Sequence, residues 1–192
     1  MIEPLSDISF WALDETNVLL ESNNYYSWSP KGQPTIIEKN GTRKGLNIIG
    51  ATEVLRDFYF LYEKYKKGTK DSISICATEI ISFLEKLLEY DHQRGIEKTF
   101  VLLDNASIHR ADLVKKFVRK NKDHLFLLFQ PPYSPELNPQ ENMWNWMKKF
   151  LSNKSAYTSI EELSNQLKIF SDYTNSNPEK IKQRAGARNY FG

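Results

Sequence analysis

Three carboxylates in this chain stand where chemistry could use them: Asp14 in "FWALDE", Asp104 in "LLDNASIHR" and Glu141 in "ELNPQENMWNWMKKF". Asp104 ends the apolar run Val101, Leu102, Leu103, and Asp14 ends the run Trp11, Ala12, Leu13. In α/β sheets, ligands bind beyond the carboxyl ends of the strands. Two carboxylates delivered by adjacent central strands would be close enough to share a hard cation. Without one they repel, and one pKa rises. Mg²⁺ suits such a place, because it takes oxygen ligands from one or two carboxylates, water and phosphate.

Each acid also has a plain structural use. Asp is favoured as a helix cap, although Ser107 is equally able to cap, and an Asp104–Asn105 pair is more than one cap requires. Asp14 is an acid at the end of a short β-rich run, a common place for one. Glu141 fits the third position of a capping box, with Asn138 as the cap and Pro139 as the first helical residue. On a helical wheel Met143, Met147 and Phe150 share one face, while Glu141, Asn145 and Lys148 lie on the other. Glu141 is therefore free to point away from the core, towards a site with a basic neighbour further along. The wheel allows both readings.

The elements that must position these groups are legible in outline. "DISFWALDE" (7–15) is a short β-rich run. "LNIIGATEV" (46–54) and "DFYFLYEKYK" (57–66) are two more, separated by Leu55 and Arg56, and suit a hairpin. Residues 25–45 are full of turn formers and read as an excursion. Ile80, Phe83, Leu84, Leu87 and Leu88 make the stripe of an amphipathic helix. "KTFVLLDN" (98–105) and "HLFLLFQ" (124–130) read as strands buried on both faces, with a helix between them that turns Leu113 and Phe117 inward, Val114 and Val118 being further candidates for that face. "PPYSPELNP" (131–139) is too rich in proline for helix or central strand. A strong helix begins at Pro139, and a last one begins near Ser159, where "SIEEL" looks like a cap. The order predicts an α/β fold: a mixed sheet with an antiparallel hairpin and parallel crossovers, covered by helices. Residues 1–177 are expected to form one domain, followed by a basic C-terminal tail, 178–192.

Composition narrows the function classes. The 192 residues are 40% hydrophobic and 26% charged, ordinary for a globular chain able to bury a core. The single Cys76 excludes an internal disulfide and a cysteine-rich zinc cluster. His92, His109 and His124 are too widely spaced for a histidine metal site. No apolar stretch approaches membrane-spanning length and the N-terminus is not a signal peptide, so a cytoplasmic location is expected. The net charge is only +2, yet residues 107–124 carry six Lys and Arg against two Asp. The tail from 178 carries four basic residues against Glu179. Such patches suit a polyanionic partner, or are solvated faces.

In combination, these blocks resemble the DDE transposases of the mariner superfamily, most closely the insertion sequence 630 type of bacteria and archaea. The resemblance runs through "WALDET" (11–16), "WSPKGQP" (28–34), "LNIIGA" (46–51), "FVLLDNASIHR" (100–110) and "PPYSPELNPQENMWNWMK" (131–148), in order along nearly the whole chain. It implies a ribonuclease H-like fold, a five-stranded mixed sheet with helices on both faces. It places the catalytic, metal-binding triad on Asp14, Asp104 and Glu141, with 36 residues between the last two. It implies two Mg²⁺ or Mn²⁺ ions, Asp14 bridging them and Asp104 and Glu141 each holding one.

The implied activity is cleavage at the ends of a mobile element by water, followed by attack of the freed 3′ hydroxyl on target DNA. Asn105, His109 and Asn138 are expected to support the metal ligands or contact phosphate. Arg110, Lys148 and Lys149 are expected on phosphates, and Trp144, like Trp28, on bases, with a place in the core as the alternative. Glu15 is read as a solvated neighbour in preference to a group that supports the metal ligands. The implied partners are the element ends, a target duplex and a second subunit. Such transposases carry helix-turn-helix modules before the catalytic part; with Asp14 so near Met1, that part is expected to be separately encoded, or the copy trimmed or decayed. A nuclease of the same fold that cuts without joining, and an inactive DNA-binding relic, are the alternatives.

Overall fold

A computed structural model describes residues 7–21, 30–33, 42–131, 134, 137–152 and 156–185. Trp28, Tyr25, Tyr26 and most of the 25–45 excursion lie outside the described residues. Five strands form one mixed sheet: β1 (Ile8–Leu19), β2 (Gly45–Glu53), β3 (Phe60–Lys67), β4 (Lys98–Leu103) and β5 (Leu125–Phe129), in the order β3-β2-β1-β4-β5. β1–β2 and β2–β3 are antiparallel, whereas β1–β4 and β4–β5 are parallel. The parallel pairs are joined by crossover helices, as parallel pairing requires. Helix α1 (Ala77–Gln93) precedes β4 and α2 (Asp112–Lys120) precedes β5. Helices α3 (Pro139–Leu151), α4 (Ile160–Asn175) and α5 (Pro178–Arg184) complete the chain.

Strand alternation divides the core into two layers. Trp11 and Leu13 of β1, Ile49 and Ala51 of β2 and Val101 and Leu103 of β4 pack with Ile80, Phe83, Leu84 and Leu87 of α1 and Val114 of α2. Leu46, Ile48 and Phe60 pack on the opposite face with Met143, Trp144 and Met147 of α3 and Leu163, Leu167 and Phe170 of α4. The expected five-stranded mixed sheet with helices on both faces is what the chain forms.

The details differ from expectation in five places. β1 does not end at Asp14: it continues to Leu19, because β2 pairs with it as far as Leu19↔Gly45. The β2–β3 connection is longer than two residues, since the Glu53 carboxylate gathers the backbone N–H groups of Leu55, Arg56, Asp57 and Phe58 into a built turn. Among the described residues β5 is an edge strand, paired only with β4, and Leu128 and Phe129 are exposed rather than buried on both faces. In α2, Val114, Phe117 and Val118 turn inward as expected, but Leu113 faces solvent. Of the expected basic tail, Pro178–Arg184 is helical, and Ile181 and Ala185 are buried against α3 and α4.

Candidate active site

β1 is longer than its parallel neighbour's ladder, and the candidate site sits at that step. The β1–β4 ladder stops at Ala12↔Leu102. Asp14 and Asp104 each lie two residues beyond this last pair, on adjacent strands of the sheet centre. Asp14 faces the α3 side, with Gly50 opposite it across the β1–β2 ladder. The absence of a side chain there matters. A Cβ on Gly50 would stand 2.3 Å from Cη2 of Trp144, so the indole occupies the space that any other residue would fill. From that seat the Trp144 N–H donates to Asp14 Oδ2 at 3.0 Å. Phe60 braces the same indole edge-on, at 5.8 Å between ring centroids.

Helix α3 is fixed to this place by its cap. Asn138 caps it, its side chain accepting from the Gln140 N–H at 3.0 Å. The other end of the same amide donates to the Leu13 carbonyl at 3.1 Å, immediately before Asp14. Thr52 of β2 adds a bond of 2.6 Å to Gln140 Oε1. Pro139 begins the helix where its missing N–H costs nothing. These ties bring the first turn of α3, with Glu141, beside Asp14. Burial, then the charge of Glu141, then that of Glu15, push the Asp14 carboxyl up to about 7, against the lowering effect of the Glu15 N–H and the Trp144 bond.

Asp104 belongs to a second network. Its Oδ1 accepts from the Ala106 N–H at 2.8 Å and lies 2.9 Å from His109 Nδ1. The His109 ring is buried, and its Nε2 is 2.8 Å from Glu15 Oε1. Burial disfavours the charged imidazole, but the Glu15 and Asp104 acceptors outweigh it and hold its pKa above the ordinary value. Asn105 donates to the Gln130 carbonyl, tying the turn after β4 to the end of β5. Among the described residues no three His, Cys, Asp or Glu side chains are gathered closely enough to hold one ion.

Glu15 is thus not a solvated neighbour: alternation along β1 sends it to the face opposite Asp14, where His109 binds it. Trp144 is 1% exposed, so its ring is not available to bases. Arg110 and Lys149 are exposed, and Lys148 is half-buried two turns along α3 from Glu141, about 10 Å by helical rise. A groove of about 700 Å³ between α2 and β5 reaches only His109 and Arg110 of these residues. Its apolar floor, including Phe126 and Leu128, suits no cation. The roles of Gly50 and Trp144 were missed in the sequence, where an isolated glycine in a strand is the signal for a close approach.

Comparison with known proteins places this geometry. The chain superposes on the Mos1 transposase paired-end complex with left transposon end at a TM-score of 0.65 and 18% identity, covering 96% of this chain and 55% of that one. The mariner Mos1 paired-end complex with Mg gives 0.65 and 21%, again with 96% and 55% covered. The catalytic domain of Mos1 mariner transposase gives 0.58 and 16%, with 96% of this chain and 81% of that domain. At these identities the likeness is one of fold. An uncharacterized protein of Sinorhizobium fredii (strain NBRC 101917 / NGR234), y4pE/y4sA, is 42% identical over 55 residues, 28% of this chain and 37% of that protein. The chain thus spans well under two thirds of that relative and of the Mos1 chains in the paired-end complexes. The family model described as DDE superfamily endonuclease matches residues 9–164, from the start of β1 into α4, and so contains Asp14, Asp104 and Glu141. That match runs through the whole sheet and the helix that brings Glu141 to it, and the chain belongs to the DDE superfamily endonucleases.

Proposed function

We propose that this chain is the catalytic part of a mariner-superfamily transposase of insertion sequence 630 type, cutting and joining DNA at the ends of a mobile element. The observation that carries this reading is that Asn138 ties the start of α3, and with it Glu141, to the strand residue before Asp14, while Trp144 holds Asp14 Oδ2. Burial first, and the charge of Glu141 second, raise the Asp14 carboxyl to about 7. A bound divalent cation would favour the charged form against both effects. The donors are all hard oxygens, which fits Mg²⁺ or Mn²⁺.

Asp14 and Glu141 would hold the ions with Asp104, whose carboxylate must join them from the neighbouring turn. Bound divalent ions activate an attacking oxygen and stabilise the leaving one. The chain's own part is to orient. Trp144 fixes Asp14, Asn138 fixes the first turn of α3, Asn105 ties the Asp104 turn to β5, and His109 holds Asp104 Oδ1. Arg110, Lys148 and Lys149 would take phosphates, giving salt-sensitive binding without sequence preference. Specific end recognition, pairing with a second subunit and a separately encoded helix-turn-helix part belong to the same proposal.

The test is a plasmid-nicking and oligonucleotide-joining assay with Mn²⁺, which needs no knowledge of the element ends. Nicking that is abolished in Asp14→Asn, Asp104→Asn and Glu141→Gln supports the reading, and joined products separate a transposase from an enzyme that only cuts. Metal-independent nicking, or nicking unchanged in all three variants, would sink it.

A further inference from the structure

We infer that Glu15 is a positioning residue for Asp104, acting through His109 from the far face of β1. The inference rests on the reading of Asp104 as a metal ligand and deepens it. Consecutive residues of a strand point to opposite faces. Asp14 therefore turns to α3, and Glu15 turns to the side where the 104–111 turn leads into α2. There the His109 ring, 1% exposed, spans the gap: Nε2 is 2.8 Å from Glu15 Oε1 and Nδ1 is 2.9 Å from Asp104 Oδ1. The same Nδ1 lies 3.2 Å from the Asp104 carbonyl, so the ring meets both the backbone and the side chain of that residue.

This arrangement fixes one oxygen of Asp104 and leaves the other outward. Oδ1 is held by His109 and by the Ala106 N–H at 2.8 Å, while the side chain as a whole is 53% exposed. A carboxylate anchored at one oxygen keeps its rotamer and presents the second to an incoming cation. His109 can do this only if its own ring is held, and Glu15, whose side chain is 19% exposed, holds it. The adjacent acids of "DE" thus serve two different metal ligands from two faces of one strand: Asp14 directly, Glu15 at one remove. Hydrogen-bonding partners of this kind typically change metal affinity by about 10–100-fold.

The experiment is Mn²⁺ calorimetry on the whole chain with a short duplex present. It compares wild type, Asp104→Asn, Glu15→Thr, Glu15→Gln and the pair His109→Asn and His109→Asn/Glu15→Thr. Threonine suits a strand but cannot reach His109. The expected results are a loss of about 10–100-fold for Glu15→Thr, and near-wild-type affinity for Glu15→Gln, whose amide still meets Nε2. In the His109→Asn background, where the asparagine amide meets Asp104 without touching residue 15, Glu15→Thr should cost nothing further. A purely structural Glu15–His109 pair would lower the melting temperature and leave Mn²⁺ affinity alone. Wild-type affinity in Glu15→Thr, with loss in Asp104→Asn, overturns this inference and spares the metal reading. Unchanged binding in Asp104→Asn, or none in wild type, overturns both. Should Glu15→Thr not fold, Glu15→Val reads the same link, and wild-type Mn²⁺ affinity in that variant overturns it.

Discussion

The indole N–H of Trp144 donates to Asp14 Oδ2 at 3.0 Å from directly above Gly50, so a core side chain and a candidate metal ligand share one hydrogen bond. The bond stabilises the charged carboxylate and works against burial and the neighbouring acids. Trp144→Phe retains an aromatic ring and removes the donor. The Asp14 pKa should then rise further above about 7, followed by carboxyl ¹³C chemical shifts against pH. Stability should fall by roughly 1–3 kcal/mol in urea denaturation, from the lost bond and the smaller ring. An unmoved Asp14 titration would show that the bond contributes nothing to the site.

Gly50 makes that contact possible. A methyl group there would stand 2.3 Å from Trp144 Cη2 and 3.1 Å from Phe60, and neither ring has solvent to move into. Gly50→Ala should cost about 1–3 kcal/mol by overpacking and displace the indole from Asp14. The displacement is read independently of stability, as a change in Trp144 indole ¹H–¹⁵N shift. A variant as stable as wild type with an unshifted indole would show that the close approach is not a constraint.

The strands, the α1 stripe and the Asn138–Pro139 start of α3 were legible because each depends on local pattern: alternation, helical period, cap chemistry. Asp14 and Asp104 stand out in the sequence because they break apolar runs, and Glu141 because it follows the Asn138–Pro139 helix start. What was not legible depends on contacts distant in sequence. Nothing near Glu15 announces His109, which is 94 residues away. Between base stacking and a core position for Trp144 the local pattern does not choose; the close approach at Gly50 places it in the core. The end of β1 was misplaced because an acid usually marks a strand's end, whereas here β2 continues to pair and only β4 stops. β5 reads as a buried strand because its outer edge is invisible in a one-dimensional pattern.

The raised Asp14 pKa has a consequence for stability. In the unfolded chain the carboxyl ionises near 3.8, in the folded chain near 7. Between these values the folded chain keeps a proton that the unfolded chain has released. Stability therefore falls as pH rises through that window, and the loss is complete above about 7. Asp14→Asn, which carries no charge, should match wild type near pH 4 and become progressively more stable than it towards neutrality, in melting curves taken without divalent ions. A stabilisation independent of pH would assign the effect to packing instead.

A control away from the site is supplied by Glu53, a buried carboxylate that accepts from the N–H groups of Leu55, Arg56, Asp57 and Phe58 and shapes the β2–β3 connection. The turn also holds Phe58 at φ 50°, a strained value for a side-chain-bearing residue. Glu53→Gln turns an amide NH₂ towards those donors and should cost about 3 kcal/mol or more. Mn²⁺ affinity should not change in the variant that remains folded. Loss of affinity in step with stability would mean that the site depends on the whole sheet rather than on its own ties.

Metal binding and the Asp14 proton must compete. A cation held by Asp14 and Glu141 requires the charged carboxylate, and at pH 6 most Asp14 still carries its proton because it titrates near 7. Below that value each pH unit should change the apparent Mn²⁺ affinity by about tenfold, with the dependence flattening above it. Calorimetry in two buffers of different ionisation enthalpy should show a proton released on binding at pH 6 and little release at pH 8. Asp14→Asn should remove the proton release along with most of the affinity, whereas Asp104→Asn should weaken binding and leave the release in place. Proton release that survives Asp14→Asn would move the titrating ligand elsewhere, and would undo the assignment of Asp14 as the acid that the ion replaces a proton on.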